Sequence, residues 1–347
     1  MKTCRVALVG IGNIGRGFLQ ILADKGPQLA ARHGVQFKLV TAVDSSGAAI
    51  CGDGLAPGDI LSLKRAGKGV SLYPHHGYPG GSTLDALSQT QADLLVELSP
   101  TNLKHGEPGL SAITWALEHT MDVVTANKGP LVLAYPRLTA LAAQNHKMLL
   151  FSGAVAGGLP TVNIGRRDLI AAKIQRVEGI FNTTTNYILC RMAESGLTFD
   201  EALREAQKAG VAEADPTLDI DGWDATNKLI IVANSVLGMP ATLQNVSVSG
   251  IRGITREQLL AARERGNAIK LLATAEPAGD CYKLSVRPTE LPLDHPLARL
   301  TRWQMGVVYT SDINGTIIAI IEEEGTLATA GAVVRDVVNV VLTRPLW

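Results

Sequence analysis

The chain has 347 residues, 46% of them hydrophobic, which is enough to bury the cores of two domains. Its 32 Lys and Arg residues balance its 32 Asp and Glu residues, so we expect no strongly basic surface for nucleic acid. With no apolar run of the about 20 residues that span a bilayer, no signal-peptide pattern and four scattered cysteines, we expect a cytoplasmic protein that does not bind membranes.

The first half of the chain alternates between predicted strands and predicted helices. An apolar strand over residues 6–9 ends at Gly10, and apolar residues at helical spacing follow it. Further strands are predicted at FKLVTAVD, ADLLVELS, MDVVTAN and KMLLFSG, with helices at residues 110–119 and at YPRLTALAAQNH. Residues 47–81 are rich in Gly and Pro and are predicted to be loop. This order predicts an α/β domain over residues 1–150 with a Rossmann-type doubly wound parallel sheet.

The second half has a different order of elements, typical of an α+β domain. A strand at AKIQRVEGIF precedes helices at TTTNYILCRMAES, TFDEALREAQKAG and DATNKLIIVANSVLG. Thr198 and Glu201 form a capping-box pattern at the start of the second of these helices. Strands are predicted near residues 268–276, 282–287 and 306–321. We expect a second, α+β domain over residues 151–321, with the C-terminal segment 322–347 packing back on the first domain.

The segment Gly10-Ile11-Gly12-Asn13-Ile14-Gly15 matches the dinucleotide-binding pattern G-x-G-x-x-G. It follows a strand and opens a helix, which is the context that the pattern requires. Gly10 would allow the tight turn, Gly12 the approach of a pyrophosphate, and Gly15 close packing of helix and strand. The helix N-terminus around Asn13 and Ile14 would offer free N–H groups to the anion. The alternative is a glycine-rich turn that binds no ligand.

An acidic residue ends the second predicted strand, as it does in NAD-binding domains. Asp44 lies 29 positions after Gly15, further than the usual spacing of about 20. A carboxylate there accepts hydrogen bonds from the ribose hydroxyls and repels a 2′-phosphate, so NAD is favoured. Lys64 and Arg65 lie in the next segment and leave NADP open as the cofactor.

A cluster of charged residues in the second half marks the candidate site of chemistry. The segment AGVAEADPTLDIDGWDATNKL carries five acids and one lysine within 16 positions. Asp224 and Lys228 are four residues apart on a predicted helix and therefore share a face. Because the following residues are strongly apolar, the charged turn is expected at a cleft. A solvent-exposed ion pair is the alternative.

At these motifs the sequence resembles the homoserine dehydrogenases. The resemblance rests on GIGNIG, VVTANKGPL, GIFNTTTNYIL and, most specifically, AGVAEADPTLDIDGWDATNKL, and it extends over nearly the whole chain. It implies NAD(P)-dependent interconversion of L-homoserine and L-aspartate 4-semialdehyde, a step in threonine, methionine and isoleucine biosynthesis. It also implies a homodimer, and it implies that the domain over residues 151–321 serves substrate binding and oligomerisation.

The resemblance assigns roles to individual residues. Lys228 would donate a proton to the reduced carbonyl, and Lys128 would be a second essential lysine beside the nicotinamide. Further residues are implied at the two ligands: Glu213, Asp219, Asp224 and Thr184 for the substrate, and Ser99, Thr101, Lys128, Gly210 and Gly325 for the cofactor, in addition to the glycine loop and Asp44. The chemistry agrees, because an alkoxide left by hydride transfer needs a nearby proton and positive charge.

The chain departs from the family pattern at three places. Thr183 stands where the family usually has glycine, and Ser152 stands where a glutamate usually helps to bind a monovalent cation, so no metal is predicted. The glycine-rich loop before the last helix is replaced by EEEGTLATAG, in which Gly325 alone matches. We also expect no C-terminal regulatory domain of the kind that longer members carry.

Two other functions remain open at the level of the sequence. One is a related oxidoreductase that acts on a different hydroxy or oxo acid, because of these three departures. The other is a dinucleotide-binding sensor without catalytic activity. The presence of both lysines and of the acidic cluster favours an enzyme, because a sensor does not need a proton donor.

Overall fold

The computed structural model describes residues 2–343, which form two compact units. The first unit contains residues up to Gly158 together with those from Thr326 onward, and the second contains Leu159–Gly325. The boundaries predicted from the sequence, after residues 150 and 321, lie eight and four residues before these. Residues 344–347 of the predicted C-terminal segment lie outside the described residues.

The first unit is built on one seven-stranded sheet in the order β4-β3-β2-β1-β5-β6-β7. Its strands are β1 (Lys2–Val9), β2 (Val35–Asp44), β3 (Gly47–Ile50), β4 (Gly77–Pro79), β5 (Leu94–Glu97), β6 (Asp122–Thr125) and β7 (Leu149–Leu150). The strands from β2 to β7 in this order pair in parallel, and their interior positions are almost wholly buried. The Rossmann-type sheet expected from the sequence is thus confirmed.

The prediction of loop structure for residues 47–81 is wrong. This segment adds β3 and β4 to the sheet edge by antiparallel pairing and also forms helix α2 (Pro57–Arg65). Its glycine and proline residues serve the regular elements themselves. Gly47 begins β3 at φ +133°, where an added Cβ would lie 2.2 Å from the Tyr78 carbonyl oxygen, and Pro57 occupies the first turn of α2, where no N–H is needed.

The helices of the first unit fall into two groups around the sheet. The helices are α1 (Asn13–His33), α2, α3 (Thr83–Ser88), α4 (Gly109–Glu118), α5 (Lys128–Gln144) and α12 (Leu327–Thr343). Helix α1 packs on α2 and α12, whereas α4 packs on α3 and α5. The strand order runs from β1 outward in one direction and from β5 in the other, and crossovers of the usual right hand then place helices in two groups. Gly17 and Ala330 let α1 and α12 approach closely, since a Cβ on Gly17 would lie 2.9 Å from that of Ala330.

The second unit is built on a six-stranded sheet in the order β13-β12-β8-β10-β11-β9. Its strands are β8 (Ile174–Ile180), β9 (Val246–Val248), β10 (Asn267–Ala278), β11 (Cys281–Pro292), β12 (Gln304–Ser311) and β13 (Gly315–Glu322). All neighbours are antiparallel except β11 and β9. The single strand predicted over residues 306–321 is wrong, because a turn ending at Gly315 (φ +65°) divides it into the hairpin β12–β13.

Six helices accompany this second sheet. They are α6 (Thr161–Asn163), α7 (Thr183–Ser195), α8 (Phe199–Lys208), α9 (Thr217–Ile220), α10 (Trp223–Ser235) and α11 (Arg256–Glu264), with a π-helical turn at Ile164–Asp168. The capping box predicted at Thr198 and Glu201 is present at the start of α8. Across residues 2–343, no helix has both the length and the apolarity needed to cross a membrane.

Candidate active site

The glycine loop between β1 and α1 has the shape of a phosphate-binding loop. Gly10 has φ +90°, and a Cβ there would lie 2.4 Å from the Leu98–Ser99 peptide. A Cβ on Gly15 would lie 2.3 Å from the Gly10 carbonyl oxygen, whereas one on Gly12 would meet no heavy atom within 4 Å. Helix α1 has no capping side chain and no acid in its first turn, so the space above Gly12 is open to an anion at the helix N-terminus. The loop therefore fits a dinucleotide.

Asp44, at the end of β2, is already engaged by neighbouring groups. Its carboxylate lies 2.5 Å from Lys64 Nζ on α2 and accepts hydrogen bonds from Ser46 and from the Val70 N–H. Burial acts to raise the pKa of Asp44, but these hydrogen bonds outweigh it and hold the pKa below its ordinary value. A ribose hydroxyl that binds Asp44 would therefore share its carboxylate with the Lys64 ammonium group. The sequence alone did not show this ion pair.

A connected network of polar side chains lies at the carboxyl end of β5 in the first unit. Glu97, the last residue of β5, is fully buried and accepts hydrogen bonds from Ser99 and Thr125. Asn127 caps helix α5 by accepting the Gly129 N–H at 3.0 Å, and its side-chain amide donates to Ser99. Lys128 is the first residue of α5. The candidate cofactor residue Ser99 thus lies in the network that precedes the candidate catalytic Lys128.

A cluster of three charged side chains forms the candidate site in the second unit. Lys228 Nζ lies 2.7 Å from Asp224 Oδ2, one turn earlier on α10, and donates to the Phe181 carbonyl at 2.6 Å. Asn182 Nδ2 donates to both carboxylates of the cluster, at 2.9 Å to Asp224 and 2.7 Å to Asp219. The ion pair is only 12% exposed at each side chain. It therefore differs from the solvent-exposed pair that the sequence left as an alternative.

The surroundings of Asp219 in this cluster disfavour its ionised form. Burial, followed by the negative charge of Asp224, raises the pKa of the Asp219 carboxyl. Hydrogen bonds from Thr184 and Asn182 and the charge of Lys228 act in the opposite direction. Because the two carboxylates share one amide donor, a further positive charge near them is favourable. An ammonium group of a substrate can supply that charge.

Two other candidate substrate residues have different positions relative to this cluster. The Thr184 hydroxyl belongs to it, because its single hydrogen has two acceptors, the Asp219 carboxylate and the Val211 carbonyl at 3.1 Å. Glu213 is exposed, and among residues 2–343 the structure gives no hydrogen bond or ion pair from its carboxylate to Asp219, Asp224 or Lys228. Thr183 is the first residue of α7, where a negative φ is required and a β-branched residue is tolerated.

The remaining candidates lie in loops or at the ends of elements within their own units. Thr101 is exposed in the loop after β5. Gly210 (φ +71°) follows α8 and Gly325 (φ +77°) ends the second unit, so a cofactor role for them stays a prediction. Ser152 is buried, its N–H donates to Asp336 Oδ2 at 2.7 Å, and its hydroxyl accepts from Arg335. The structure shows no group of three metal-ligating side chains within residues 2–343.

Three residues of these two networks were not selected from the sequence. Asn182 and Asn127 both occur in the quoted motifs GIFNTTTNYIL and VVTANKGPL, and both are helix caps, but an asparagine in a turn is too common to single out. Glu97 lies within the predicted strand ADLLVELS, directly after its apolar residues 94–96. An acidic residue at the carboxyl end of a strand that is predicted to be buried is unusual, and this signal would have identified Glu97.

Comparison with known proteins places these features in one family. The family model described as homoserine dehydrogenase matches residues 160–338. A homoserine dehydrogenase of Methanocaldococcus jannaschii is 37% identical over 96% of this chain and 98% of its own length. An NAD(+)-dependent homoserine dehydrogenase of Pseudomonas canavaninivorans is 35% identical over 98% of this chain and 97% of its own length.

Solved structures agree over the whole chain. A structure from Archaeoglobus fulgidus superposes with a TM-score of 0.87 at 34% identity, covering 97% of this chain and 99% of that one. A hyperthermophilic archaeal homoserine dehydrogenase in complex with NADPH has a TM-score of 0.85 at 26% identity, with 99% of both chains covered.

Proposed function

Because the chain belongs to the homoserine dehydrogenase family, we propose that the residues described above carry out the interconversion of L-homoserine and L-aspartate 4-semialdehyde. The protein is an NAD(P)-dependent oxidoreductase that acts on a CH–OH group. This reaction supplies a precursor of threonine and methionine. The observation that carries the assignment of residues is the buried cluster of Lys228, Asp224, Asn182 and Asp219.

Lys228 is the proton donor and acceptor of this mechanism. In the direction of reduction, a hydride added to the aldehyde carbon leaves a negative charge on its oxygen, and the Lys228 ammonium transfers a proton to that oxygen. In the direction of oxidation, neutral Lys228 takes the hydroxyl proton as the hydride leaves. Asp224 and the Phe181 carbonyl hold Nζ in place at 2.7 and 2.6 Å. NAD or NADP supplies or accepts the hydride when it is bound.

The carboxylates of the cluster recognise the amino group of the substrate. Burial and the nearby Asp224 raise the pKa of Asp219, so an additional cation near it favours its ionised form. Asp224 is neutralised by Lys228, which leaves Asp219 and Thr184 as the groups best placed for the substrate ammonium. Glu213 retains its proposed role on the resemblance alone, since its carboxylate is exposed.

The glycine loop and the carboxyl ends of β1, β2 and β5 hold the dinucleotide. The pyrophosphate takes the open space above Gly12, and Asp44 receives the ribose hydroxyls. NAD is preferred over NADP, because a 2′-phosphate would face the Asp44 carboxylate. Lys64, 2.5 Å from that carboxylate, weakens the repulsion without removing it.

The experiment that tests the function is a steady-state assay with L-homoserine and NAD or NADP. Formation of the reduced cofactor with L-homoserine, at a kcat/KM at least about tenfold above that with other short hydroxy acids, is expected. A higher kcat/KM with another hydroxy acid would identify a related oxidoreductase. Cofactor binding without turnover of any of them would identify a sensor.

We also propose that two copies of the chain form a homodimer through β13. This strand is an edge of its sheet, and Ile318 and Ile320 on it are 47% and 48% exposed. An open edge that carries large apolar side chains is self-complementary in an antiparallel pair about a twofold axis. Ile318→Glu should give monomers in sedimentation, whereas Ile170→Glu, at a residue that is 81% exposed, should leave the dimer intact.

A cytoplasmic location is proposed from the state of the cysteines. All four are free thiols, and two of them, Cys4 and Cys190, are buried. Free thiols are typical of a reducing compartment. Immunodetection in fractionated cells of the source organism tests this location, and recovery of the protein outside the cytoplasmic fraction would contradict it.

A further inference from the structure

Glu97 is a buried acid that the mechanism above does not use. It is 0% exposed and ends β5, beside β1, where the order of the parallel strands reverses direction. Ligands of such sheets bind outside the strand ends at this point. Among residues 2–343 the structure gives Glu97 no ion-pair partner, so its burial relies on hydrogen bonds alone, which is costly for an acid.

Three of the described residues donate hydrogen bonds to Glu97. Oε1 accepts the Ser99 N–H at 2.8 Å and the Ser99 hydroxyl, with the Asn127 amide at 3.5 Å. Oε2 accepts the Thr125 hydroxyl at 2.9 Å. Burial raises the pKa of the Glu97 carboxyl, while these hydrogen bonds act to lower it. Every one of these groups donates to the carboxyl, so the surroundings are built for an acceptor.

The carboxyl also decides how Asn127 is oriented. The Asn127 Nδ2 group faces Glu97 and Ser99, so its Oδ1 atom is left for the Gly129 N–H, which it binds at 3.0 Å. Its backbone N–H donates to the Thr125 hydroxyl at 2.9 Å. This cap starts α5, and the residue that follows the cap is Lys128.

Helix α4 closes the network from the other side. A Cβ on Gly109, its first residue, would lie 3.1 Å from the Glu97 carboxyl carbon and 2.6 Å from Asn127 Nδ2. Gly109 therefore packs directly against the Glu97 and Asn127 side chains and limits their movement in this direction. A change in the length of residue 97 must be transmitted to the cap.

We propose that Glu97 is a positioning residue, whose carboxyl group orients Asn127 as the cap of α5 and thereby sets the place of Lys128 and the orientation of Ser99. The consequence for catalysis rests on the proposed function, because that is where Lys128 has a role. The consequence for the cap does not, since it concerns the protein without ligands.

Two substitutions distinguish the effect of side-chain length at residue 97 from the effect of its acid group. Glu97→Asp keeps the carboxyl group but withdraws it by one methylene group, so it loses Ser99 or Thr125. Glu97→Gln keeps the length, accepts from Ser99 and can donate to the Thr125 hydroxyl, so much of the network survives. Asp122→Asn is the matched control. Asp122 is a buried acid of the same sheet at 2% exposure, but it begins β6 at the opposite strand end.

The first measurement is amide hydrogen exchange at Gly129 in the protein without cofactor. We expect exchange to be about fivefold faster or more in Glu97→Asp, as for loss of one buried hydrogen bond, and near the wild-type rate in Glu97→Gln and Asp122→Asn. The same rate in Glu97→Asp as in wild type would overturn the proposal.

The second measurement is the division of the effect between kcat and KM. Glu97→Asp should lower kcat about tenfold or more, with KM for homoserine changed by less than about threefold, and Glu97→Gln should recover most of kcat. Asp122→Asn should lower the melting temperature and leave kcat unchanged. Equal losses of kcat in Glu97→Asp, Glu97→Gln and Asp122→Asn would show a merely structural role. If wild type does not oxidise homoserine, the proposed function fails, while the exchange result still decides the role of Glu97 at the cap.

Discussion

Lys228 Nζ lies 2.7 Å from Asp224 Oδ2, four residues earlier on α10, and each side chain is 12% exposed. The pair thus lies where water is scarce, and Nζ has a second acceptor in the Phe181 carbonyl. An ammonium that is held at two points keeps a defined position from which it can donate its third proton. This geometry supports the proposed role of Lys228 in proton transfer.

Lys228→Met should lower kcat by about 10²–10⁴-fold, the usual contribution of general acid catalysis, with little change in cofactor affinity. Steady-state kinetics and fluorescence titration of the cofactor measure the two effects. Arg252→Met is the control, because Arg252 forms an ion pair with Asp221 in the same motif but is 53% exposed. Retention of more than about a tenth of wild-type kcat in Lys228→Met would remove Lys228 from this role.

Asn182→Asp should destabilise the second unit, although it changes one atom. Nδ2 donates to Asp219 and Asp224, and a carboxylate oxygen in its place would face both acids without a proton. We expect a loss of about 1–3 kcal/mol of unfolding free energy, measured by urea denaturation at neutral pH. Asn245→Asp is the control in the same unit, because Asn245 Oδ1 accepts from the N–H and the hydroxyl of Thr242 and a carboxylate can accept both of these hydrogen bonds. Equal losses in the two variants would contradict the argument.

Asp219→Asn should stabilise the protein while impairing substrate binding. The pKa of Asp219 is raised above its ordinary value of 3.8, so the folded state binds the proton more tightly than the unfolded state. Stability contributed by the protonated form is therefore present at low pH and is lost as pH rises through the raised pKa. An amide does not ionise and removes this loss. Melting temperatures should be higher than wild type at neutral pH and converge with wild type at acid pH, while KM for homoserine rises. A lower melting temperature at neutral pH would show that the ionised acid is stabilising.

Gly12→Val and Gly15→Val should affect different properties, the first cofactor affinity and the second the stability of the protein. Gly12 faces open space, so Gly12→Val should keep the melting temperature of the protein without cofactor but lower cofactor affinity about tenfold or more by filling the phosphate space. A Cβ on Gly15 meets the Gly10 carbonyl oxygen at 2.3 Å, so Gly15→Val should cost roughly 1–3 kcal/mol of stability. Calorimetry and cofactor titration separate the two. Unchanged cofactor affinity in Gly12→Val would place the pyrophosphate elsewhere.

Asp44→Ala should shift cofactor preference toward NADP. Wild type is expected to have a higher kcat/KM with NAD, and removal of the carboxylate leaves the Lys64 ammonium without its 2.5 Å partner. The ratio of kcat/KM for NADP to that for NAD should rise about tenfold or more, since each 1.4 kcal/mol is a factor of ten. Asp59→Ala, an exposed acid on α2, should leave the ratio unchanged. A wild-type preference for NADP would refute the reading of Asp44.

Local sequence was sufficient for features that depend on neighbouring residues. The glycine loop, the capping box of Thr198 and Glu201 and the shared face of Asp224 and Lys228 each follow from spacings of three to five residues, which the helix or turn converts directly into geometry. The alternation of strands and helices gave the sheet of the first unit for the same reason. The resemblance to homoserine dehydrogenases then supplied the activity, which the comparisons bear out.

Tertiary structure decided which polar groups meet across long stretches of chain. Asn182 joins Asp219 and Asp224 from 37 and 42 residues away, and Glu97 meets Thr125 only because β5 and β6 pair in a register that places them side by side. The prediction of a loop over residues 47–81 was wrong because glycine and proline occur both in loops and at the ends of strands and helices. Only the pairing of the strands shows which of these applies. Burial and hydrogen-bond partners arise from packing, so a sequence pattern can name a lysine or an acid, but only the fold determines what surrounds it and hence its charge and its role.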